Sequence, residues 1–239
     1  MAENRSIFEF KQFSLNHGNP GLKISTEACL FGAWTAGFAR GNCLDVGTGC
    51  GLLACMIAQG DPTCTVKALE IHPDVAELAS ENFHLNPFKE RLELIQGDVL
   101  TYSSEVPFDF IYSNPPFFIN HLAATDPARH MAIHADHLSP ADLAASIDRL
   151  LSKDGEFAVL YPVDVLALFE QNLEATGLYI NEKVAILSNP GSPVLRVMAR
   201  GSRNKNTLEQ SKLHIKTEQG DYSPKFIELL RPYFIIFPS

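Results

Sequence analysis

Residues 114–117 read Asn-Pro-Pro-Phe and follow an apolar run, Phe108-Asp109-Phe110-Ile111-Tyr112-Ser113, that has the composition of a β-strand. Two consecutive prolines remove two backbone donors and hold φ near about −65°, so the strand cannot continue in a sheet interior. Pro115 also biases Asn114 towards an extended conformation. The product is a stiff elbow at a strand end. It offers a side-chain amide on Asn114, a free carbonyl on Pro115 and, past Pro116, an aromatic face on Phe117. Those groups suit a planar amine, with two acceptors for its hydrogens and a ring for its π-face.

A second constellation lies upstream. Asp45-Val46-Gly47-Thr48-Gly49-Cys50-Gly51 follows a short apolar strand and opens a helix. Glycines 47, 49 and 51 let the backbone approach a ligand closely at a helix N-terminus. The spacing is G-x-G-x-G, unlike the G-x-G-x-x-G of dinucleotide binders. A carboxylate just before the glycines is a poor neighbour for a pyrophosphate and suits an amine-bearing or cationic ligand. Glu70 ends the next strand, where an acid can hold ribose hydroxyls. Asp98, in Gln96-Gly97-Asp98-Val99, stands just past the third strand, placed to accept from an adenine amine. Glycine-rich turns also serve tight packing, and acids at strand ends also cap helices. Here the glycine loop, Glu70, Asp98 and Asn114 recur in order at the carboxyl ends of four successive strands, where open α/β sheets bind ligands. Together they describe a pocket for a nucleoside with a neutral or positive tail.

The elements that must carry these residues alternate. Strands are expected at 43–46, 66–70, 92–96, 108–113 and 156–160, with helices at 51–58, 73–85, 140–151 and 163–175. Strands at 179–187 and 194–199 are separated by Ser188-Asn189-Pro190-Gly191-Ser192, a hairpin signal. The fold class is therefore α/β: a mostly parallel seven-stranded sheet, helices on both faces, and a C-terminal hairpin adding one antiparallel strand. Residues 1–40 differ, with Phe8, Phe10 and Phe13 alternating with polar residues as in a strand covering the sheet. A turn at 18–21, a strand-like stretch at 23–26 and a helix at 28–39 follow. They read as an N-terminal extension on the substrate or lid side, packed on a main domain at 41–239. Lys11, Lys23 and Thr26 are its candidates for substrate contact, each with an ordinary alternative as a surface lysine or a helix cap.

Bulk properties narrow the class. A length of 239 residues with 46% hydrophobic content supports one large core. No apolar run reaches membrane-spanning length, and the polar N-terminus lacks the apolar segment of a signal peptide. Five scattered cysteines without a Cys-x-x-Cys pair indicate neither a zinc ribbon nor a disulfide framework, as in a reducing cytoplasm. A net charge of −9 argues against coating nucleic acid by bulk electrostatics. The stretch 196–216 is nevertheless basic, with Arg196, Arg200, Arg203, Lys205, Lys212 and Lys216 against Glu209. It reads equally as a solvated loop between two strands and as an RNA-facing patch. His130, His134 and His137 invite a metal reading, but no glutamate follows His130 as in a zinc-protease helix and no cysteine is near. No metal is expected.

With glycine motif, Glu70, Asp98 and Asn-Pro-Pro-Phe in place, the chain resembles the Rossmann-like (class I) S-adenosylmethionine-dependent methyltransferases, specifically those that methylate amines. Phe10-Lys11-Gln12-Phe13, Leu22-Lys23-Ile24-Ser25-Thr26-Glu27, Leu30-Phe31-Gly32-Ala33-Trp34 and the tail Tyr222-Ser223-Pro224-Lys225-Phe226 also resemble the bacterial group that modifies the adenine beside the anticodon of a valine tRNA. Glu27 stands where that group more often has aspartate, and Phe117 where it usually has tyrosine; charge and ring are kept. The resemblance implies S-adenosylmethionine as cofactor, bound by Asp45, Gly47, Gly49, Gly51, Glu70, Asp98 and Asn114. It implies methyl transfer to an adenine N6 through Asn114, Pro115 and Phe117. It also implies a valine tRNA as substrate, for which Lys11, Lys23, Thr26 and Pro116 are the candidate contacts; a cytoplasmic, monomeric enzyme without a metal is expected. The same elbow serves methylation of release-factor glutamine, DNA adenine and rRNA guanine, usually beside a separate recognition domain for which little sequence is left here. A nicotinamide-dependent oxidoreductase is disfavoured by the glycine spacing and the lack of a Tyr/Lys hydride-transfer pair. A non-catalytic cofactor-binding protein is disfavoured by the intact Asn114 and Asp45.

Overall fold

A computed structural model describes residues 7–18, 24–115 and 138–238. The central element is strand β6 (Phe108–Ser113), whose residues are buried apart from a half-buried Asp109. It lies between β3 (Asn42–Val46) and β7 (Leu151–Tyr161), both parallel to it. A strand flanked by helices on both faces has no polar side to alternate with, which is why β6 reads as a continuous apolar run. Beyond β3 come β4 (Thr65–Glu70) and β5 (Leu92–Gln96), again parallel. Beyond β7 comes β9 (Val194–Ser202), antiparallel, then β8 (Tyr179–Leu187) and β10 (Glu209–His214). The order is β10-β8-β9-β7-β6-β3-β4-β5. All seven expected strands form, and β10 adds an eighth, parallel to β8.

Strand β10 corrects the reading of residues 196–216 as a loop. They comprise most of β9, a turn and β10. Arg200 and Arg203 form ion pairs within the protein. Arg200 bonds Glu156 and Glu182, each at 3.0 Å, and its guanidinium lies 3.8 Å from the centre of the Phe38 ring. Arg203 bonds Asp148 at 2.6 Å. Their partners come from elements distant in sequence, so a count of local charge does not reveal them.

Helix starts follow local chemistry. Ser25, Ser139 and Ser223 each accept a hydrogen bond from a first-turn amide, opening α1 (Thr26–Ala36), α4 (Pro140–Leu150) and α6 (Pro224–Leu230). In the last two, proline takes the first helical position, where its missing N–H costs nothing. Helix α1 corrects the strand expected at 23–26: Ile24 and Ser25 lie outside any strand and Thr26 is already helical. Lys23 lies outside the described residues. Helix α2 (Leu52–Gly60) is buried from Leu52 to Ala58, as its all-round apolar composition requires. With α1, α3 (Pro73–Leu85) and α6 it covers one face of the sheet. Helices α4 and α5 (Val163–Leu173) cover the other.

The N-terminal aromatics pack rather than protrude. β1 (Ile7–Glu9) and β2 (Ser14–Asn16) form a separate antiparallel hairpin, so they do not extend the main sheet. Phe10 and Phe13 are buried and stack at 4.5 Å, sharing a core with Phe31 and Trp34 of α1 and Phe226 of α6. All five cysteines are buried and free. Among the described residues no helix is long and apolar enough to cross a membrane.

Candidate active site

The chain runs from β3 outward through β4 to β5, then returns to place β6 on the other side of β3. Between β3 and β6 the direction of winding reverses, and open α/β sheets bind ligands in the crevice at that point. Val46 pairs with Ser113 across these strands. The next residues on each, Gly47 and Asn114, therefore leave the sheet side by side. A buried hydrogen bond from Ser113 Oγ to the Val46 carbonyl, 2.7 Å, ties the two strand ends together. Asn114 is half-buried, and Pro115, buried, fixes the direction in which the chain departs. No hydrogen bond joins the Asn114 side chain to another described residue. Pro116 and Phe117 lie outside the described residues, as do His130, His134 and His137. Among the described residues no cluster of His, Cys, Asp or Glu could hold a metal.

The glycine loop is built from inside and from the side. Asp45 is wholly buried; its Oδ2 accepts from the Thr48 hydroxyl at 2.7 Å. Burial pushes its carboxyl up to about 7, against the opposing pull of the Thr48 hydroxyl and the Ala54 backbone amide. Its Oδ1 is buried and makes no hydrogen bond within 3.5 Å to another described residue. The amides of Gly47 and Thr48 donate to the Leu69 carbonyl at 2.9 and 3.0 Å. Glu70, 6% exposed, accepts from the Gly49 amide through Oε2 at 3.0 Å and from the His72 amide through Oε1 at 3.1 Å. This carboxylate thus holds the loop while standing at the strand end expected to meet a ribose.

Two of the glycines are required for different reasons. At Gly47, φ is +72°, and a Cβ would meet no described residue within 4 Å. At Gly51, φ is +87° and a Cβ would lie 2.4 Å from Cε1 of Phe83. A Gly51→Ala variant therefore combines a left-handed backbone with overpacking. It should lose about 2–4 kcal/mol of stability in urea unfolding. A loss below about 0.5 kcal/mol would show that neither the left-handed backbone nor Phe83 resists the added methyl group.

Asp98 follows β5 by two residues, half-buried, with Oδ1 accepting from the Leu100 amide at 2.9 Å. Its turn is clasped from α4 by Arg149, which donates to the carbonyls of Val99 (2.6 Å), Leu100 (3.5 Å) and Tyr102. The structure thus brings Asp45, the three glycines, Glu70, Asp98, Asn114 and Pro115 to one end of the sheet. It places Lys11 at the turn of the N-terminal hairpin, its amide donating to the Tyr233 carbonyl of the tail, and leaves Thr26 exposed beside the Ser25 cap. Neither bonds a residue of the glycine loop.

Sequence reasoning passed over Thr48, Ser113, Asn82 and Arg149. Two carried a signal: Ser113 is a hydroxyl inside an apolar strand, and Asn82 is an amide three residues after Ala79 on the apolar stripe of α3. Thr48 was hidden as a spacer between glycines. Arg149 acts on carbonyls, which have no sequence signature.

A relative from Aeromonas hydrophila subsp. hydrophila, a tRNA1(Val) (adenine(37)-N6)-methyltransferase, is 36% identical over 234 residues, spanning 96% of this chain and 98% of its own. One of the same name from Bacteroides fragilis is 34% identical over 235 residues, 97% and 99% of the two chains. This chain belongs to the tRNA1(Val) (adenine(37)-N6)-methyltransferase family. Residues 28–141 also match the methyltransferase small domain, from α1 into α4. Among solved structures, a predicted O-methyltransferase from Agrobacterium tumefaciens superposes with a TM-score of 0.65 at 17% identity, over 85% of this chain and 95% of that one. A glycopeptide N-methyltransferase complexed with S-adenosyl-L-methionine gives 0.55 at 14%, over 77% and 98%. Both have the class I methyltransferase fold, and this family member shares it.

Proposed function

We propose that this chain transfers a methyl group from S-adenosylmethionine to the exocyclic N6 of the adenine beside the anticodon of a valine tRNA. The observation that carries the reading is the placement of Asn114-Pro115 next to Gly47 at the reversal of the sheet, through the Val46–Ser113 pairing. The names of the relatives supply the substrate.

The described residues fit the cofactor. Among the described residues, a buried carboxylate oxygen on Asp45 makes no hydrogen bond, and Gly47 has no neighbour on its open side. Together they suit a ligand that lies against the loop and bears an amine. Glu70 would hold the ribose hydroxyls with the lone pairs its amide bonds leave free, and Asp98 the adenine amine. Gly49 and Gly51 shape the loop, and Asp45 fixes it from beneath through Thr48. When bound, the cofactor supplies a methyl carbon made electrophilic by a sulfonium.

The remaining work falls to the elbow. An aromatic amine is a poor nucleophile because its lone pair is delocalised into the ring. Acceptance of both amine hydrogens, by the Asn114 side-chain oxygen and the Pro115 carbonyl, favours a tetrahedral nitrogen and localises that pair. No strong base is needed before attack, since the alkylated nitrogen sheds its proton readily. Positioning and fixed dipoles then carry most of the rate. Phe117 stacks on the base, contributing on the order of 1–3 kcal/mol. The base must be unpaired or flipped out. In this reading the first forty residues serve the substrate side, and Lys11, Lys23, Thr26 and Pro116 meet the RNA.

The test is mass spectrometry of nucleosides from unmodified valine tRNA incubated with protein and S-adenosylmethionine. N6-methyladenosine at the position beside the anticodon, absent from other tRNAs, is expected. Methylation of a release factor, DNA or rRNA instead would keep the chemistry and replace the substrate. Binding of NAD in place of S-adenosylmethionine would overturn the reading.

A further inference from the structure

Asn82 of α3 is 3% exposed, and its side chain makes three hydrogen bonds to backbone. Nδ2 donates to the Cys50 carbonyl in the glycine loop at 2.8 Å and to the Asn16 carbonyl at the end of β2, also at 2.8 Å. Oδ1 accepts from the Asn16 amide at 2.9 Å. Phe83, the next residue, packs against Gly51 in the same loop. One buried amide thus joins the glycine loop to the N-terminal hairpin, two segments more than thirty residues apart in the chain.

The joint is stiff for a physical reason. Both Nδ2 hydrogens and the side-chain oxygen are engaged, so the amide has one productive orientation. Removing it leaves two carbonyls and one amide without partners where water is scarce. The hairpin end is further held by Asn16 Oδ1, which accepts from Gly18 N at 3.1 Å.

We infer that Asn82 is a positioning residue that couples the cofactor loop to the N-terminal hairpin, so that ordering the loop by the cofactor also steadies the segment assigned to the substrate side. The inference rests on the cofactor part of the proposed function. Coupling is reciprocal, so a ligand that steadies the loop must slow opening of the hairpin.

The experiment is amide hydrogen exchange on the full chain with and without saturating S-adenosylmethionine, alongside calorimetric titration. In the unaltered protein the cofactor should slow exchange at Asn16 and its β1 neighbours, on the order of tenfold. In Asn82→Ala the dissociation constant should rise on the order of tenfold. At saturation β3 and β4 should still gain protection, while the hairpin no longer responds. Should that variant not fold, Asn82→Asp serves instead. It keeps the acceptor for the Asn16 amide, loses the donors to the Cys50 and Asn16 carbonyls, and should likewise silence the hairpin. A merely structural residue would lower global stability without removing this linked response. The inference is overturned if the cofactor binds but leaves hairpin exchange unchanged in the unaltered protein, or if the response survives in the variant. Failure of S-adenosylmethionine to bind the unaltered protein would instead overturn the cofactor reading, and this inference with it.

Discussion

Replacing Asn114 by alanine should lower turnover on valine tRNA by roughly 10²–10³-fold, the loss typical of removing one preorganised polar group from a reacting centre. The dissociation constant for S-adenosylmethionine should change by no more than a few fold. The asymmetry follows from placement. The glycine loop is held by Leu69, Glu70 and Asp45 through Thr48, none of which depends on the Asn114 amide. The Ser113–Val46 bond that joins the two strand ends is also untouched by the substitution. What disappears is one acceptor for the amine hydrogen, and with it the localisation of the nitrogen lone pair. Single-turnover methylation with calorimetric cofactor titration separates the two effects. Turnover within threefold of the unaltered enzyme would remove Asn114 from the reaction. A cofactor affinity that falls as far as turnover would make cofactor binding, rather than positioning of the amine, its main role.

Glu70→Ala should raise the dissociation constant for S-adenosylmethionine on the order of 10²-fold. The carboxylate stands between the glycine loop and the turn after β4, accepting from Gly49 and His72. Its removal takes away two charge-assisted hydrogen bonds within the protein as well as those to the ribose, each worth about 1.5–3 kcal/mol. Glu70→Gln divides the effect. It retains one acceptor but turns an N–H group towards a backbone N–H, so it should recover only part of the affinity. Calorimetry reads the affinities and urea unfolding the stability. Unchanged affinity with lowered stability would reduce Glu70 to a brace for the loop.

The residues proposed to bear the chemistry stand out in the sequence because they punctuate the chain. Glycines at alternate positions, acids at strand ends and paired prolines break hydrophobic periodicity in ways that local physics dictates. The alternation of strands and helices from β3 to α5 was legible because buried parallel strands and amphipathic helices differ in period. Strand β10 was not: Glu209, Gln210, Ser211 and Lys212 are exposed, and an edge strand with little burial leaves no apolar pattern. The start of α1 was misplaced because Ile24-Ser25-Thr26 has β-branched residues on both sides of a serine that in fact caps a helix.

Type and spacing alone thus determined that the protein has an α/β fold with a glycine loop and a proline-stiffened elbow suited to an amine. Asn114 and Pro115 are restrained locally, by the missing proline donor and restricted torsions, so that restraint needs no distant partner. Only the tertiary structure decided that this elbow stands beside Gly47, that Glu70 holds Gly49, and that Asn82 joins Cys50 to Asn16. Each of these depends on strand order and register or on a backbone carbonyl as partner. A carbonyl is present at every position, so no residue type marks the one that a buried amide will find.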